Sequence, residues 1–90
     1  MISPAINAAP VVVVLDPGHG GHDQGARYKW GGKTYKEKQL NLAIAKACKT
    51  ELEKYAGVKV YMTRSSDRFV TLGNRVNFAK SRKADLFVAI

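Results

Sequence analysis

The sequence predicts a mainly parallel α/β fold, and three observations carry that expectation. Val11-Val12-Val13-Val14-Leu15 is an unbroken apolar run that stops at Asp16-Pro17-Gly18, the pattern of a strand buried on both faces. Two further strand-like segments follow, at separations too long for hairpins. Between them lie two segments with the three-and-four spacing of amphipathic helices. The order strand, helix, strand, helix, strand argues for a parallel sheet with helices on its faces and right-handed crossovers.

Residues 1–10 read as a flexible leader or a signal remnant. They lack a basic start and an apolar stretch, so they form no intact secretory signal, although Ala5-Ile6-Asn7-Ala8-Ala9-Pro10 resembles a cleavage region. The first strand is Val11 to Leu15. The glycines behind it let the chain turn sharply, with His19 at the tip of the turn. In open α/β sheets, ligands bind at the carboxyl ends of the strands, which is where His19 falls. Asp16 to Lys36 is a long polar connection with room for a hairpin about Gly31-Gly32, and its Tyr28, Trp30 and Tyr35 could line a groove.

Glu37 to Tyr55 has helical period, with Leu40, Ala43, Ile44, Ala47, Cys48, Leu52 and Tyr55 on the expected inner face and Gly57 as the C-terminal cap. Val58 to Met62 alternates as a second strand, and Thr63 to Phe69 is a polar connection. Thr71 to Ser81 is a second helix, with Leu72, Val76 and Ala79 inward. Asp85 to Ile90 is a third strand, again a continuous apolar run. A chain of ninety residues buries only about 60% of its unfolded surface, and this one ends inside a strand. Residues 11–90 are therefore expected to be the N-terminal part of a larger single domain.

Fifteen Lys and Arg against seven Asp and Glu give a formal net charge of +8. Such a balance favours anionic partners: nucleic acid, an anionic wall polymer or an acidic membrane surface. No basic stripe interleaved with aromatics on one predicted face marks a nucleic-acid binder. The single cysteine, Cys48, excludes an internal disulfide and a cysteine-built zinc site, and it reads as helix packing. No run reaches transmembrane length. The Gly18–Gly21 turn lacks the spaced Lys and Ser/Thr of a nucleotide loop.

Two readings of Glu37 stand side by side. It projects along the buried stripe at a helix start, where a carboxylate needs a partner. It also stands three residues after Thr34, the spacing of a capping box. His19 is either solvated within its turn or a ligand; His22 reads as an exposed loop residue or a second ligand. Two imidazoles and one carboxylate, with the fourth position left to water, form a catalytic zinc set, and His19 and Glu37 would supply two of the three. Arg64 and Asp67 follow the second strand, as a surface ion pair or a brace for the loop. Arg75 is expected to bury its stem and pair with a carboxylate such as Asp67.

Taken together, Asp16-Pro17-Gly18-His19-Gly20-Gly21-His22-Asp23-Gln24-Gly25-Ala26, Glu37-Lys38, Leu40 and Ala43, Thr63, Arg64 and Asp67, Leu72, Arg75 and Ala79, and Ala84-Asp85-Leu86-Phe87-Val88 resemble the zinc-dependent N-acetylmuramoyl-L-alanine amidases of bacterial and phage cell-wall turnover. The likeness runs from Val11 to Ile90; Lys80 departs from it, where the family shows Asn. The resemblance implies that His19 and Glu37 are zinc ligands, with capping by Glu37 compatible with ligation, and that Arg64 binds substrate or braces the site. It implies a third ligand, a histidine, directly after the last strand, and a catalytic glutamate later still, both beyond residue 90. The implied activity is zinc-assisted hydrolysis of the amide between N-acetylmuramic acid and L-alanine in peptidoglycan, by a secreted autolysin at the cell wall, extracellular or periplasmic. With two ligands of three, the ninety residues alone are expected to bind zinc weakly and cleave nothing. The rival classes are a wall-binding module holding no zinc and a basic nucleic-acid binder, the latter suggested only by charge.

Overall fold

The computed structural model describes residues 9–90. The leader expected over residues 1–10 rests mostly on residues 1–8, which lie outside the described residues. The central strand is Val11–Asp16 (β1), as its continuous apolar run requires. It pairs in parallel with Val58–Met62 (β4) on one side and with Leu86–Ala89 (β5) on the other, giving the order β4-β1-β5. The long connection folds into a separate antiparallel hairpin, Arg27–Trp30 (β2) and Lys33–Lys36 (β3). Its turn is Gly31-Gly32, both at positive φ, a conformation glycine adopts without steric cost. The helices are Glu37–Leu52 (α1) and Leu72–Ser81 (α2), and the Thr71 hydroxyl caps α2 by accepting from the Asn74 N–H.

Side chains alternate across β1. Val13 and Leu15 point to α1, where they pack with Val60 and Ala45, flanked by Leu52, Val58, Met62 and Ile90. Val14 and Asp16 point the other way. Val14 is fully buried, and Asp16 meets Arg75 of α2 at 2.7 Å.

Both helices sit differently from the faces their sequences suggest. On α1 the buried residues are Lys38, Asn41 and Ala45, while Leu40, Ile44 and Cys48 are exposed, as is Tyr55 beyond the helix end. The start of the helix is anchored by polar contacts. Lys38 Nζ donates to the Gly21 carbonyl at 2.9 Å and to Asp67 at 2.8 Å, and Asn41 Nδ2 reaches the Gly18 carbonyl at 3.4 Å. These bonds turn the polar side of the first two turns toward the sheet edge. The apolar side then overlooks an open groove that includes Leu15, Ile44, Cys48, Leu52 and Val88. On α2, Ala79 is buried beside Arg75, whereas Leu72 and Val76 are exposed. The first helix ends at Leu52 with Glu53 as its C-cap, so Gly57 is not the cap. It instead turns the chain at φ +82 into β4, its carbonyl accepting from the Val11 N–H. Among the described residues β5 pairs with β1 alone, and Leu86, Phe87 and Val88, expected to be buried, are exposed.

The orientation of α1 has a direct test in urea unfolding. Ala45→Leu overfills a fully buried contact and is expected to cost about 1–3 kcal/mol. Ile44→Ala, at a half-exposed position, is expected to cost less than about 1 kcal/mol. The reverse ranking would place Ile44 inward.

Candidate functional site

The turn after β1 is held by two buried arginines. Arg64, 1% exposed, donates Nε to the Pro17 carbonyl at 3.0 Å, and Nη2 to the carbonyls of Gly18 at 2.8 Å and Lys38 at 2.9 Å. Arg75, 4% exposed, donates Nη1 to the Pro17 carbonyl and to Asp16 Oδ1, both at 2.7 Å, and Nη2 to the His19 carbonyl at 2.8 Å. Three consecutive carbonyls, of Pro17, Gly18 and His19, thus accept from guanidinium groups. Asp16 supplies the counter-charge and also accepts from the Thr63 hydroxyl at 2.7 Å. Burial and the like charge of Arg75 pull the Arg64 pKa down, against Asp67 and Asp16.

This clamp holds His19 at φ +63, a left-handed conformation that costs a non-glycine residue about 1–3 kcal/mol unless its surroundings impose it. The imidazole then lies between two carboxylates. Nδ1 is 3.0 Å from Asp23 Oδ2, and Nε2 is 3.2 Å from Glu37 Oε2. The hydrogen bond to Asp23 is the main cause of a His19 pKa raised above 6.5, with the Glu37 charge adding to it. Asp23 is lowered in turn, first by that bond. Glu37 is lowered chiefly by the backbone N–H of Ala26, which its Oε1 accepts at 2.9 Å, and then by His19.

That Ala26 bond replaces the capping box. The residue at the N-cap of α1 is Lys36, which makes no side-chain cap bond, and Thr34 lies on β3. Strand β3 runs into α1 without a loop, so the Glu37 side chain reaches back to the base of the hairpin instead. Gly25 allows the two site residues to meet. A Cβ there would stand 2.6 Å from His19 Cδ2 and 2.7 Å from Glu37 Oε1, and its φ is +67.

The remaining residues divide clearly. His22 is exposed and packs its ring against Phe69, centroids 4.4 Å apart. Arg75 pairs with Asp16 and not with Asp67, because its side chain runs under the turn. Asp67 instead accepts from Lys38 and from the Gly21 N–H, which together lower its pKa. Sequence reasoning passed over the roles of Asp23 and Lys38. An acid four residues beyond a loop histidine was the available signal for Asp23; for Lys38 the signal was its place beside Glu37 in the family pattern, although a lysine on a helix otherwise reads as solvated. A groove of about 410 Å³, bordered by His19, Asp23, Phe69, Val70, Leu72 and Arg75 among others, opens beside the imidazole.

His19 and Glu37 suit a shared cation. With zinc bonds of about 2.0–2.2 Å and tetrahedral angles, two ligand atoms stand roughly 3.3–3.5 Å apart, close to the separation seen here. The carboxylate of Asp23 on the other ring nitrogen is the usual outer partner of a metal-bound histidine. Among the described residues no group of three or more His, Cys, Asp or Glu side chains gathers about one metal position.

A parallel sheet with an imidazole, two carboxylates and a groove at its carboxyl edge defines an α/β domain whose candidate active site lies where such folds hold their ligands. The family model described as N-acetylmuramoyl-L-alanine amidase matches residues 13–90, and the chain belongs to that family. It is 49% identical over 81 residues to N-acetylmuramoyl-L-alanine amidase AmiC of Escherichia coli O6:H1, covering 90% of this chain and 19% of that protein. It is 43% identical over 81 residues to the sporulation-specific N-acetylmuramoyl-L-alanine amidase of Bacillus subtilis, covering 89% and 30%. Among solved structures, the catalytic domain of CwlV from Bacillus (Paenibacillus) polymyxa aligns with a TM-score of 0.78 at 40% identity, over 88% of this chain and 43% of that one. The N-acetylmuramoyl-L-alanine amidase of Clostridium difficile 630 aligns with a TM-score of 0.82 at 34% identity, over 91% and 43%. The chain thus spans less than half of these proteins.

Two outcomes are expected of this geometry. Gly25→Ala should push His19 and Glu37 apart and lower the His19 pKa by the smaller share Glu37 contributes, with the Asp23 bond still holding it above 6.5, read by NMR titration of its ring protons. Stability should peak between roughly pH 4.5 and 6.5. The contribution of His19, whose pKa is raised, is full below its unfolded value and lost as pH rises through the folded one. The contributions of Asp23, Glu37 and Asp67, whose pKa values are lowered, are present above their unfolded values and lost as pH falls. Thermal melts across pH check this, and a flat profile would contradict it.

Proposed function

We propose that this chain is the part of a zinc-dependent cell-wall hydrolase that contributes its first two metal ligands, His19 and Glu37. The reaction is cleavage of the amide joining N-acetylmuramic acid to L-alanine in peptidoglycan, outside the cytoplasm. The observation that carries the reading is the 3.2 Å approach of His19 Nε2 to Glu37 Oε2, with the opposite atom of each group tied to the protein.

Each tie has a function. With Asp23 accepting from Nδ1–H, the lone pair of a neutral imidazole is directed from Nε2 toward Glu37. With Oε1 held by the Ala26 N–H, Glu37 presents Oε2. Zinc bound there supplies polarisation of an amide carbonyl and a lowered pKa for a water molecule. Arg64 and Arg75 hold the backbone that carries His19 through donors taken by carbonyls and Asp16, and Arg75, paired with Asp16, borders the groove. The +8 net charge favours approach to an anionic wall. Among the described residues no helix is long and apolar enough to cross a membrane.

Calorimetric zinc titration with digestion of purified sacculi tests the proposal. The ninety-residue chain should bind one zinc weakly, lose that binding in both His19→Ala and Glu37→Ala, and release no stem peptide. Zinc binding unchanged in the two variants would contradict the ligand assignment. Stem-peptide release by the chain with zinc would contradict the need for further groups.

A further inference from the structure

The β2–β3 hairpin does not contribute to the sheet core, and its sequence is unusual for an exposed element. From Arg27 to Lys36 it carries four basic residues, three aromatics and no acid. Strand pairing sets Tyr28 opposite Tyr35 and Trp30 opposite Lys33. Directly opposed residues of an antiparallel pair share a face, so Tyr28, Trp30, Lys33 and Tyr35 lie together. The rings of Tyr28 and Trp30 are nearly parallel, 13° apart with centroids at 6.5 Å, and the Lys33 ammonium lies 5.3 Å from the Tyr35 centroid. Tyr28 is 61% and Trp30 68% exposed. Arg27, Lys29, Thr34 and Lys36 occupy the opposite face by the same alternation, and a shallow groove of about 320 Å³ runs among Arg27, Tyr28, Lys29 and Thr34.

The hairpin is also tied to the candidate site. Ala26, just before β2, donates its N–H to Glu37 Oε1, and its carbonyl accepts from the Glu37 N–H at 2.8 Å. A ligand lying along this hairpin would extend about 13 Å from the groove beside His19, the length of four strand residues.

We propose that the hairpin is a docking platform for the glycan strand of peptidoglycan, the amino-sugar polymer to which the scissile amide is attached. The inference rests on the hydrolase reading for the choice of polymer, and on the hairpin alone for the surface. Aromatic faces carry partial negative charge and pack against the C–H groups on a pyranose face. Two nearly parallel, exposed rings offer that contact to successive sugars. Lys33, the basic residue on the aromatic face, complements the carboxylates in which the attached peptides terminate, and no acid on the hairpin opposes it. Glycan held here would present its peptide branches toward the groove at His19.

Trp30 is the only tryptophan in the chain, so its fluorescence reports the platform directly. The probe is soluble chitohexaose, which has N-acetylated pyranose rings and no peptide. Titration should give a saturable blue shift of Trp30 emission, and Tyr28→Ala should weaken binding roughly tenfold, the equivalent of one lost ring contact. Tyr28 is exposed, and circular dichroism verifies that the variant is folded. Lys33→Glu should reduce retention on sacculi stripped of anionic polymers more than it weakens binding of chitohexaose, which carries no carboxylate. No saturable shift, equal affinity in Tyr28→Ala, or retention only on sacculi that still carry anionic polymers would each overturn the platform. The zinc titration is separate. Zinc bound through His19 and Glu37 with no sugar binding ends the platform and leaves the hydrolase reading, whereas sugar binding without zinc does the opposite.

Discussion

Two guanidinium groups beneath one glycine-rich turn set the geometry on which the rest depends. Buried charges are costly unless their hydrogen bonds are complete. Here Arg64 and Arg75 direct theirs to backbone carbonyls and to Asp16, and among the described residues no buried side-chain nitrogen or oxygen lacks a partner. Removing either guanidinium would release the carbonyls it holds, and loss of Arg75 would also leave the Asp16 charge without its ion-pair partner. The arrangement joins the three parts of the site: β1 brings the turn, the end of β4 brings Arg64, and α2 brings Arg75.

A turn fixed in this way can hold a side chain in a backbone conformation that it would otherwise avoid. His19 is left-handed because its own carbonyl and the two before it have no freedom. Its ring is then caught at both nitrogens, and the absence of a side chain at Gly25 leaves space for Glu37 to close the gap. Polar anchoring extends to α1 as well. Lys38 and Asn41 tie the helix to the same turn.

The backbone was largely readable from the sequence, and the side-chain partnerships were not. The apolar run Val11–Leu15, the alternation of elements and the Gly31-Gly32 turn are local patterns with one dominant explanation each. On α1 the buried residues are Lys38, Asn41 and Ala45, while the apolar side predicted to face inward borders an open groove with Leu15 and Val88 of the sheet. Arg75 was paired with Asp67 because both flank the same connection in sequence; in space Asp16 lies beneath it and Asp67 belongs to Lys38. Glu37 fitted a capping box on spacing, but a box needs a loop at the helix start, and β3 leaves none. In the candidate site, His19 and Glu37 stand out by position and by resemblance. Asp23 shows its role only when the turn brings it against Nδ1.

The central claim is that His19 and Glu37 share one cation, with Asp23 holding the far side of the imidazole. The most direct measurement is two-dimensional NMR of the histidine ring nitrogens during titration with zinc. The account predicts that Nε2 of His19 shifts as a metal ligand while Nδ1 keeps its proton toward Asp23 and His22 stays unchanged. Coordination through Nδ1, or a response confined to His22, would contradict it.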